Sequence, residues 1–445
     1  MLTASESDPA SPLRLRLAAP MPSRSPPSHP AGFYVVCLAV FWERWAAYML
    51  GSSLVLMLCE RYGYARGDAL RLAGLVSAAT YLGTLPGGIA SDRALGPCRW
   101  LGLSMVLLAL GYAALTLSVP GALGLSLALL VVGHALFKPN TQAVIARLYA
   151  SGDPRLDAAQ ILFYIAVNAG AALGSMVAGL LVSRASWGVA FVLAAAAMLA
   201  GTLALVAGRK ALQLRPASAR SKHPAIPKAD TTPASAARSD VKALGALLAA
   251  ILLYTLGCGQ VEGSLFLWAQ DQTNRALLGV EIPAAWFVGL PAVLVLLLAP
   301  VQLGLLPSLQ RRINTPRLVA LGLLSVSAAF VVLLPPVISE SAQRVSMGWL
   351  VACLTLLSAG ELLVAPLGLS LLLRLAPPRL VGAVVGAWYV TRALGFWLAG
   401  ELGALWMRGS PVLVLGLLIG SSFVGAVLLW RTRLGLFCSS KPAHG

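Results

Sequence analysis

The stretch GELLVAPLGLS, residues 360–370, lies inside an apolar run that extends from about 345 to 373. A run of this length can cross a bilayer as one helix. Glu361 falls near its middle, where a carboxylate costs roughly 2.5–3.5 kcal/mol on insertion scales. Pro366 is expected to break the helix one turn later, and lipid does not satisfy the freed backbone groups. We therefore predict that this face borders a protein-lined cavity, with a structural ion pair between helices as the alternative.

The composition is that of a polytopic membrane protein. Of the 445 residues, 58% are hydrophobic and 11% are charged, and the formal net charge is +17. In a soluble protein this charge would suggest nucleic acid binding, but here the basic residues cluster in short loops, where they set membrane orientation. The six cysteines and four histidines lack metal-site spacing, so we expect free thiols. No nucleophile–base pair indicates an enzyme.

Twelve mainly apolar spans, each roughly 20 residues or longer, follow one another along the chain. They cover approximately 33–58, 69–91, 99–118, 121–147, 158–183, 187–208, 243–270, 284–306, 317–338, 345–373, 380–408 and 411–431. A basic segment rich in Pro and Ser separates the sixth span from the seventh and is typical of a flexible linker. The predicted division is a disordered tail at 1–32, a six-helix bundle at 33–208, the linker at 209–242, a second bundle at 243–433 and a tail at 434–445.

Basic residues concentrate in the linker, the other even-numbered loops and both tails. The positive-inside rule then places both termini and the linker in the cytoplasm. The expected location of the protein is the plasma or inner membrane. Two six-helix halves joined by a cytoplasmic linker follow the plan of the major facilitator fold. The expected fold class is therefore all-α, with 12 transmembrane helices arranged as 6+6 around a central cavity and a substrate site near the midplane.

The first span carries two adjacent charges, Glu43 and Arg44, in FWERWAAY at 41–48. Adjacent helical residues point about 100° apart, so each is expected to meet a partner on another helix. Lys138, near mid-depth in the fourth span, is the predicted partner of Glu43. An acid balanced between a cation and a proton is a candidate proton carrier. The alternative is a fixed structural ion pair.

The second half places further charges inside its spans. Glu262, in the seventh span, is either a gate residue on a proton path or an interfacial residue without function. In the eleventh span Trp388 and Arg392 are four residues apart and share a helix face. Arg392 lies near mid-depth, as Glu361 does. Either these two form an ion pair, or they bind opposite ends of a zwitterionic substrate.

The second span ends in GGIASDRALG at 87–96, which resembles the loop signature of the major facilitator superfamily. Its Asp92 and Arg93 are the candidate cytoplasmic latch, since an anion is favoured at a neighbouring helix N-terminus. Several hydroxyl and amide side chains inside spans are candidates for either the substrate site or ordinary packing. These are Tyr48, Tyr81, Tyr164 and Asn168.

Nearly all of the membrane part resembles the proton-dependent oligopeptide transporter family, also called the peptide transporter family. The matching motifs are FKPN at 137–140, GDPR at 152–155, FYIAVNAGA at 163–171, EIPAAWF at 281–287, the stretch at 360–370 and GAW at 386–388. The resemblance implies uptake of di- and tripeptides or related amine-bearing solutes, driven by inward proton flow, with protons as coupling ion and no other cofactor.

The resemblance also implies roles for individual residues. Glu361 would bind the substrate amino group, while Tyr48, Asn168 and Trp388 would line the pocket. Glu43, Arg44 and Lys138 would serve proton coupling. We add Tyr81 and Arg392 to the expected substrate site and Glu262 to the expected proton path.

The sequence departs from the family pattern at four positions. Val40 replaces the first Glu of the Glu-x-x-Glu-Arg motif, and Gly51 stands where an Arg typically clamps the peptide carboxylate. Gly259 replaces the helix-seven Glu, and Pro291 aligns with a helix-eight Asn. Arg392 and Glu262 are candidate replacements for the lost groups.

Two other functions stay open, and the departures at Val40, Gly51 and Gly259 suit the second of them. One is a proton-linked exporter of amphipathic compounds on the same fold, and the other is a non-transporting receptor or scaffold derived from a transporter. The expected partners are a small-molecule or peptide substrate and membrane lipid, with no nucleic acid, and the chain is expected to act as a monomer.

Overall fold

Long helices account for most of the chain in the computed structural model, which describes residues 28–91, 96–117, 119–150, 153, 155–182, 184, 187–212, 234–339, 343–377 and 380–432. In the first half the helices are α1 (Ala31–Gly51), α2 (Leu54–Tyr62), α3 (Arg66–Ser91), α4 (Pro97–Ala114), α5 (Ala122–Leu148), α6 (Leu156–Val182) and α7 (Trp187–Ala207), followed by a 3₁₀ turn at Gly208–Lys210. In the second half they are α8 (Ala234–Cys258), α9 (Ser264–Asp271), α10 (Ala285–Arg312), α11 (Thr315–Val332), α12 (Leu334–Ile338), α13 (Met347–Leu375), α14 (Val381–Met407) and α15 (Pro411–Arg431).

Within these described ranges, 11 helical stretches are long and apolar enough to cross a membrane. The 27-residue helix α14 is the twelfth long helix, and it packs against α3 and α8. Four two-residue strands lie in the connections: β1 (Thr273–Asn274) pairs in parallel with β4 (Val345–Ser346), and β2 (Ala276–Leu277) pairs antiparallel with β3 (Val280–Glu281). Each of the twelve predicted spans thus corresponds to one long helix or to a broken pair.

The first and seventh spans, which the sequence predicted as continuous, are each broken in the structure. The first divides at Ser52 and Ser53, between α1 and α2, and the Ser53 hydroxyl donates to the Met49 carbonyl at 2.7 Å. The seventh divides at 259–263, between α8 and α9. There the Gln260 amide donates to the carbonyls of Leu256 and Ala399, both at 3.2 Å. Side chains thus satisfy backbone groups that the breaks release inside the membrane.

Pro366 does not end its helix, contrary to the prediction, because α13 continues from Met347 to Leu375. A proline has no N–H, so the Leu362 carbonyl four residues earlier loses its intrahelical donor. The Gln302 amide of α10 donates to this carbonyl at 2.6 Å. The replacement bond fixes α13 against α10 directly beside Glu361.

Several boundaries also differ from the prediction. Helix α8 begins at Ala234, so residues 234–242 of the predicted linker are helical. Residues 1–27, 213–233 and 433–445, which include most of the predicted N-terminal tail, most of the linker and the C-terminal tail, lie outside the described residues. The first helix begins at Ala31, two residues inside the predicted tail. The five cysteines within the described ranges are free thiols, and Cys438 lies beyond them.

Helices α1 and α6 pack at backbone contact through two glycines of α6. A Cβ built on Gly170 would overlap the carbonyl oxygen of Phe41, and one built on Gly174 would overlap that of Trp45. Small residues allow such approach between membrane helices, where dispersion rather than the hydrophobic effect drives association. This packing holds the segment of α1 that carries Glu43 and Arg44.

We predict opposite effects of Gly→Ala at Gly174 and at Gly420, which lies in α15 with nothing within 4 Å of its Cβ position. Gly420→Ala should raise stability by roughly 0.5–1 kcal/mol because alanine loses less backbone entropy in a helix. Gly174→Ala should lower it by about 1–3 kcal/mol through overpacking. Thermal unfolding in detergent measures both, and equal shifts would show that α1 and α6 are not in contact at Trp45.

Candidate functional site

A cavity of about 340 Å³ lies between the two halves of the molecule. This volume is typical of sites for small organic ligands. Helices of both halves contribute its wall, so a ligand bound there contacts both at once. The acidic and basic side chains in its lining are Arg44, His134 and Lys138 from the first half and Glu262, Glu361 and Arg392 from the second.

Glu43 is fully buried beside this cavity in a cluster with Arg44 and His134. The Arg44 guanidinium donates to both carboxylate oxygens, and His134 Nδ1 lies 2.8 Å from Oε1. The predicted contact between Glu43 and Lys138 is absent. Glu43 does meet a partner on another helix, His134 of α5, but Arg44 pairs with its neighbour Glu43 and not, as expected, with another helix. Although their Cα–Cβ bonds diverge, the arginine side chain is long enough for its guanidinium to fold back. The signal for His134 in the sequence was its spacing of four from Lys138, which places both on one face of α5.

Two cations converge on the ring of Tyr81. Lys138 Nζ lies 3.8 Å from the ring centroid, and the Arg392 guanidinium carbon lies 5.0 Å from it. Arg392 also donates to the Tyr81 hydroxyl at 3.4 Å, and Phe396 stacks on the ring with centroids 5.0 Å apart. Neither cation forms an ion pair with a carboxylate of the described residues. Of the two alternatives for Arg392, the structure therefore does not show the direct ion pair with Glu361.

Glu361 and Glu262 are carboxylates of the cavity wall that make no ion pair or hydrogen bond with the described part of the chain. Glu361 extends from α13, and Glu262 comes from the break between α8 and α9. Glu262 lies against Gly51, the last residue of α1, where a Cβ would be 3.3 Å from Oε2. A carboxylate therefore faces the position at which the family resemblance led us to expect an arginine.

The remaining predicted site residues divide into three groups. Tyr48, Tyr81 and Asn168 line the cavity. Trp388 does not: it is 6% exposed and packs beside Gly368 of α13, so the structure gives it a packing position. Asp92 and Arg93, the predicted latch, lie outside the described residues. Tyr254 and Cys258 of α8 are among the lining residues that the sequence did not predict, because they lie in an apolar run without a charge.

Residues 36–400 match the family model described as Major Facilitator Superfamily. The chain belongs to this superfamily. Dipeptide and tripeptide permease A of Erwinia pyrifoliae is 28% identical over 422 residues, which cover 84% of this chain and 86% of the permease. Its counterpart in Escherichia coli strain K12 is 27% identical over 423 residues and covers 84% of each chain.

The solved structures agree with this assignment. A crystal structure of a peptide transporter, POT, in complex with sulfate has a TM-score of 0.82 at 26% identity and covers 92% of this chain and 95% of that one. The major facilitator fold with 12 helices is thereby confirmed, as is the resemblance to the oligopeptide transporter family. The protein is a multi-pass membrane transporter, not an enzyme.

In this transporter the two halves pack closely at the end where α3 begins, which is the end away from the start of α1 and the end of α15. The contact called the seal below joins α3 to α14: a Cβ on Gly74 would be 2.8 Å from the Phe396 carbonyl oxygen and 2.9 Å from Gly400 Cα. Nearby, the Trp286 indole of α10 donates to the Met176 carbonyl of α6 at 3.0 Å. Both contacts join the first half to the second.

Two exposed ion pairs also cross between the halves at this end. Arg66 contacts Asp271, and Arg71 Nε lies 3.0 Å from Glu401. Exposed pairs are worth about 0–1 kcal/mol each. The close backbone packing of α3 on α14 is therefore the main seal, and the ion pairs add to it at the rim.

We predict that Gly74→Leu wedges α3 away from α14 and opens the cavity at this end. The measurement is labelling of Cys258 by a membrane-impermeant maleimide applied from the side where α3 begins, with the other five cysteines changed to serine. Labelling should be several-fold faster than in the parent, and uptake should fall. Gly102→Leu is the control, because nothing lies within 4 Å of its Cβ position. Equal labelling of both variants would contradict the assigned seal.

Proposed function

We propose that this transporter imports di- or tripeptides, or related small amine-bearing solutes, by alternating access coupled to inward proton movement. The observation that carries the proposal is the separation of free charges in one cavity. Glu361 presents an unpaired carboxylate on α13, and Lys138 and Arg392 present cations beside Tyr81. A zwitterion that bridges these groups would contact both halves of the molecule. The similarity to named dipeptide and tripeptide permeases supports the same substrate class.

In this proposal the substrate ammonium binds Glu361 and its carboxylate binds Lys138 and Arg392. Gly51 offers no clamp for the carboxylate, so the cations on Tyr81 supply it. Hydrogen bonds to charged groups contribute about 1.5–3 kcal/mol each. One side of Arg392 is still unused, since its Nε is buried without a hydrogen-bond partner. Tyr48 and Asn168 complete the wall of the substrate site.

The proposed proton carrier is Glu43, with Arg44 and His134 as its partners. Glu43 does not line the cavity itself but touches two residues that do. A proton arriving from the cavity would reach it through the His134 ring. An inside-negative potential supplies about 2.3 kcal/mol per charge per 100 mV for this inward step. Protons are the only coupling ion in this scheme, and no cofactor enters it.

We further propose that the protein lies in the plasma or inner membrane with both termini in the cytoplasm. The end at which α3 packs on α14 through Gly74 then faces outward. In this proposal the protein acts as a monomer surrounded by membrane lipid. Export of amphipathic compounds would instead give flux in the opposite direction, and a receptor role would give binding without flux.

We predict that proteoliposomes with an acid exterior and a negative interior take up dialanine, and that Glu361→Gln or Arg392→Ala reduces the initial rate by at least about tenfold, since each removes a charge-assisted contact. Glu60→Gln and Arg317→Ala change exposed residues of the same types and serve as controls. An uncoupler should abolish accumulation. Transport by Glu361→Gln at the wild-type rate would exclude the proposed ammonium site.

We predict that Glu43→Gln abolishes proton-driven accumulation but preserves counterflow exchange of dialanine, because exchange needs the substrate site and not the carried proton. The substitution leaves Arg44 without its carboxylate, so His134→Gln is tested as a second variant that disrupts the same cluster and keeps the ion pair. The readout is the ratio of accumulation to counterflow in matched vesicles. Accumulation that persists in both variants would remove Glu43 from the proton path.

A further inference from the structure

Glu262 is the charged group of the cavity for which the proposed zwitterion supplies no ligand. It stands in the break at 259–263, lines the cavity and makes no ion pair or hydrogen bond with any residue that the structure describes. Gly51 brings no side chain to the space beside it, and a Cβ there would already be 3.3 Å from Oε2 and 3.5 Å from Oε1. The carboxylate is thus open to the cavity on the side of α1.

The cations around Glu262 are engaged elsewhere. The Arg44 guanidinium is held by Glu43, and Lys138 and Arg392 rest on Tyr81. Arg44 and Lys138 lie close enough to Glu262 to interact with it electrostatically, but neither forms an ion pair with it. Once Glu43 and Arg44 are counted as a pair, the cavity holds two free carboxylates and two free cations. A zwitterion with one ammonium and one carboxylate leaves one carboxylate of this set unmatched.

A carboxylate at this depth is costly unless a cation or a proton meets it. We propose that Glu262, in the space left by Gly51, binds a second ammonium group, so that the preferred substrate is a peptide with a basic side chain such as lysine. This assignment rests on the proposed function, because the first ammonium and the carboxylate occupy Glu361 and the cations on Tyr81. The two ammonium groups of such a peptide meet the two free carboxylates, and its single carboxylate is shared by the two cations on Tyr81.

The proposal differs from the role that the sequence suggested for Glu262 on a proton path, and the two roles predict different results. Loss of a proton carrier weakens accumulation of every substrate alike. Loss of a cation site weakens only the substrates that carry the second ammonium. The decisive quantity is therefore the ratio of the strengths with which two peptides of the same shape, one with and one without the second ammonium, compete for uptake in the same vesicles.

The test compares alanyl-lysine with alanyl-norleucine, and lysyl-alanine with norleucyl-alanine, as competitors of labelled dialanine uptake. Norleucine keeps the aliphatic chain and lacks the ammonium. In the wild type the lysine peptide of at least one pair should compete more strongly by on the order of tenfold, as expected for one charge-assisted hydrogen bond. In Glu262→Gln this ratio should fall to about one. Glu60→Gln is the matched control and should keep the wild-type ratio.

Gly51→Arg provides a second variant that tests the same site by a different route. Its side chain would begin within contact distance of the Glu262 carboxylate and supply a fixed cation to it. The preference for lysine should disappear, as in Glu262→Gln, although the carboxylate is still present. Inhibition by alanyl-norleucine shows in each case that the variant is folded and binds peptide.

The outcomes distinguish failure of the second ammonium site from failure of the proposed peptide transport. A lysine preference in the wild type that is lost in Glu262→Gln supports the second ammonium site. A ratio near one in the wild type, or a ratio that survives in Glu262→Gln, overturns it while peptide transport itself stands. Equal loss of both peptides with an unchanged ratio assigns Glu262 to the proton path instead. If no peptide is taken up or competes, the proposed function fails and this assignment fails with it.

Discussion

The high cost of exposing a charge or a free backbone group to lipid governs this structure. Each half of the molecule begins with a broken helix, at Ser52 and Ser53 in the first and at 259–263 in the second. Hydroxyl and amide side chains satisfy the backbone at both breaks. Because irregular backbone at membrane depth is tolerated only inside protein or beside a cavity, the two breaks face each other. Gly51 and Glu262 meet at this point, and the substrate cavity lies around them.

The same cost explains why much of the fold was readable from the sequence. Twelve long apolar runs leave few alternatives to twelve membrane helices, and charges such as Glu361 and Arg392 are too costly to face lipid. The cavity lining could therefore be predicted from mid-span polarity. The helix breaks could not, because the residues that form them, such as Ser53 and Gln260, are also common in continuous membrane helices.

The pairing of the charges was also beyond the reach of sequence. His134 and Lys138 lie on one face of α5, so which of them meets Glu43 depends on the position of α5 along its own axis, to within one turn, and on the rotamer of Arg44. Likewise the sequence around Pro366 does not indicate that Gln302, on another helix, supplies the missing donor to the Leu362 carbonyl. Helical spacing indicates which residues share a face, but it does not indicate which partner helix that face meets.

The contact of α3 with α14 at Gly74 and Gly400 has a consequence for how the transporter changes state. Its attraction is dispersion between backbones, and a gap of only 0.5–1 Å forfeits roughly a quarter to a half of that attraction. The Arg71–Glu401 ion pair links the two helices beside this contact, but at about 0–1 kcal/mol it is too weak to hold them at an intermediate separation. The seal therefore has two favoured positions, with the helices in contact or apart. Intermediate separations, in which protons could pass through both ends of the cavity, are disfavoured.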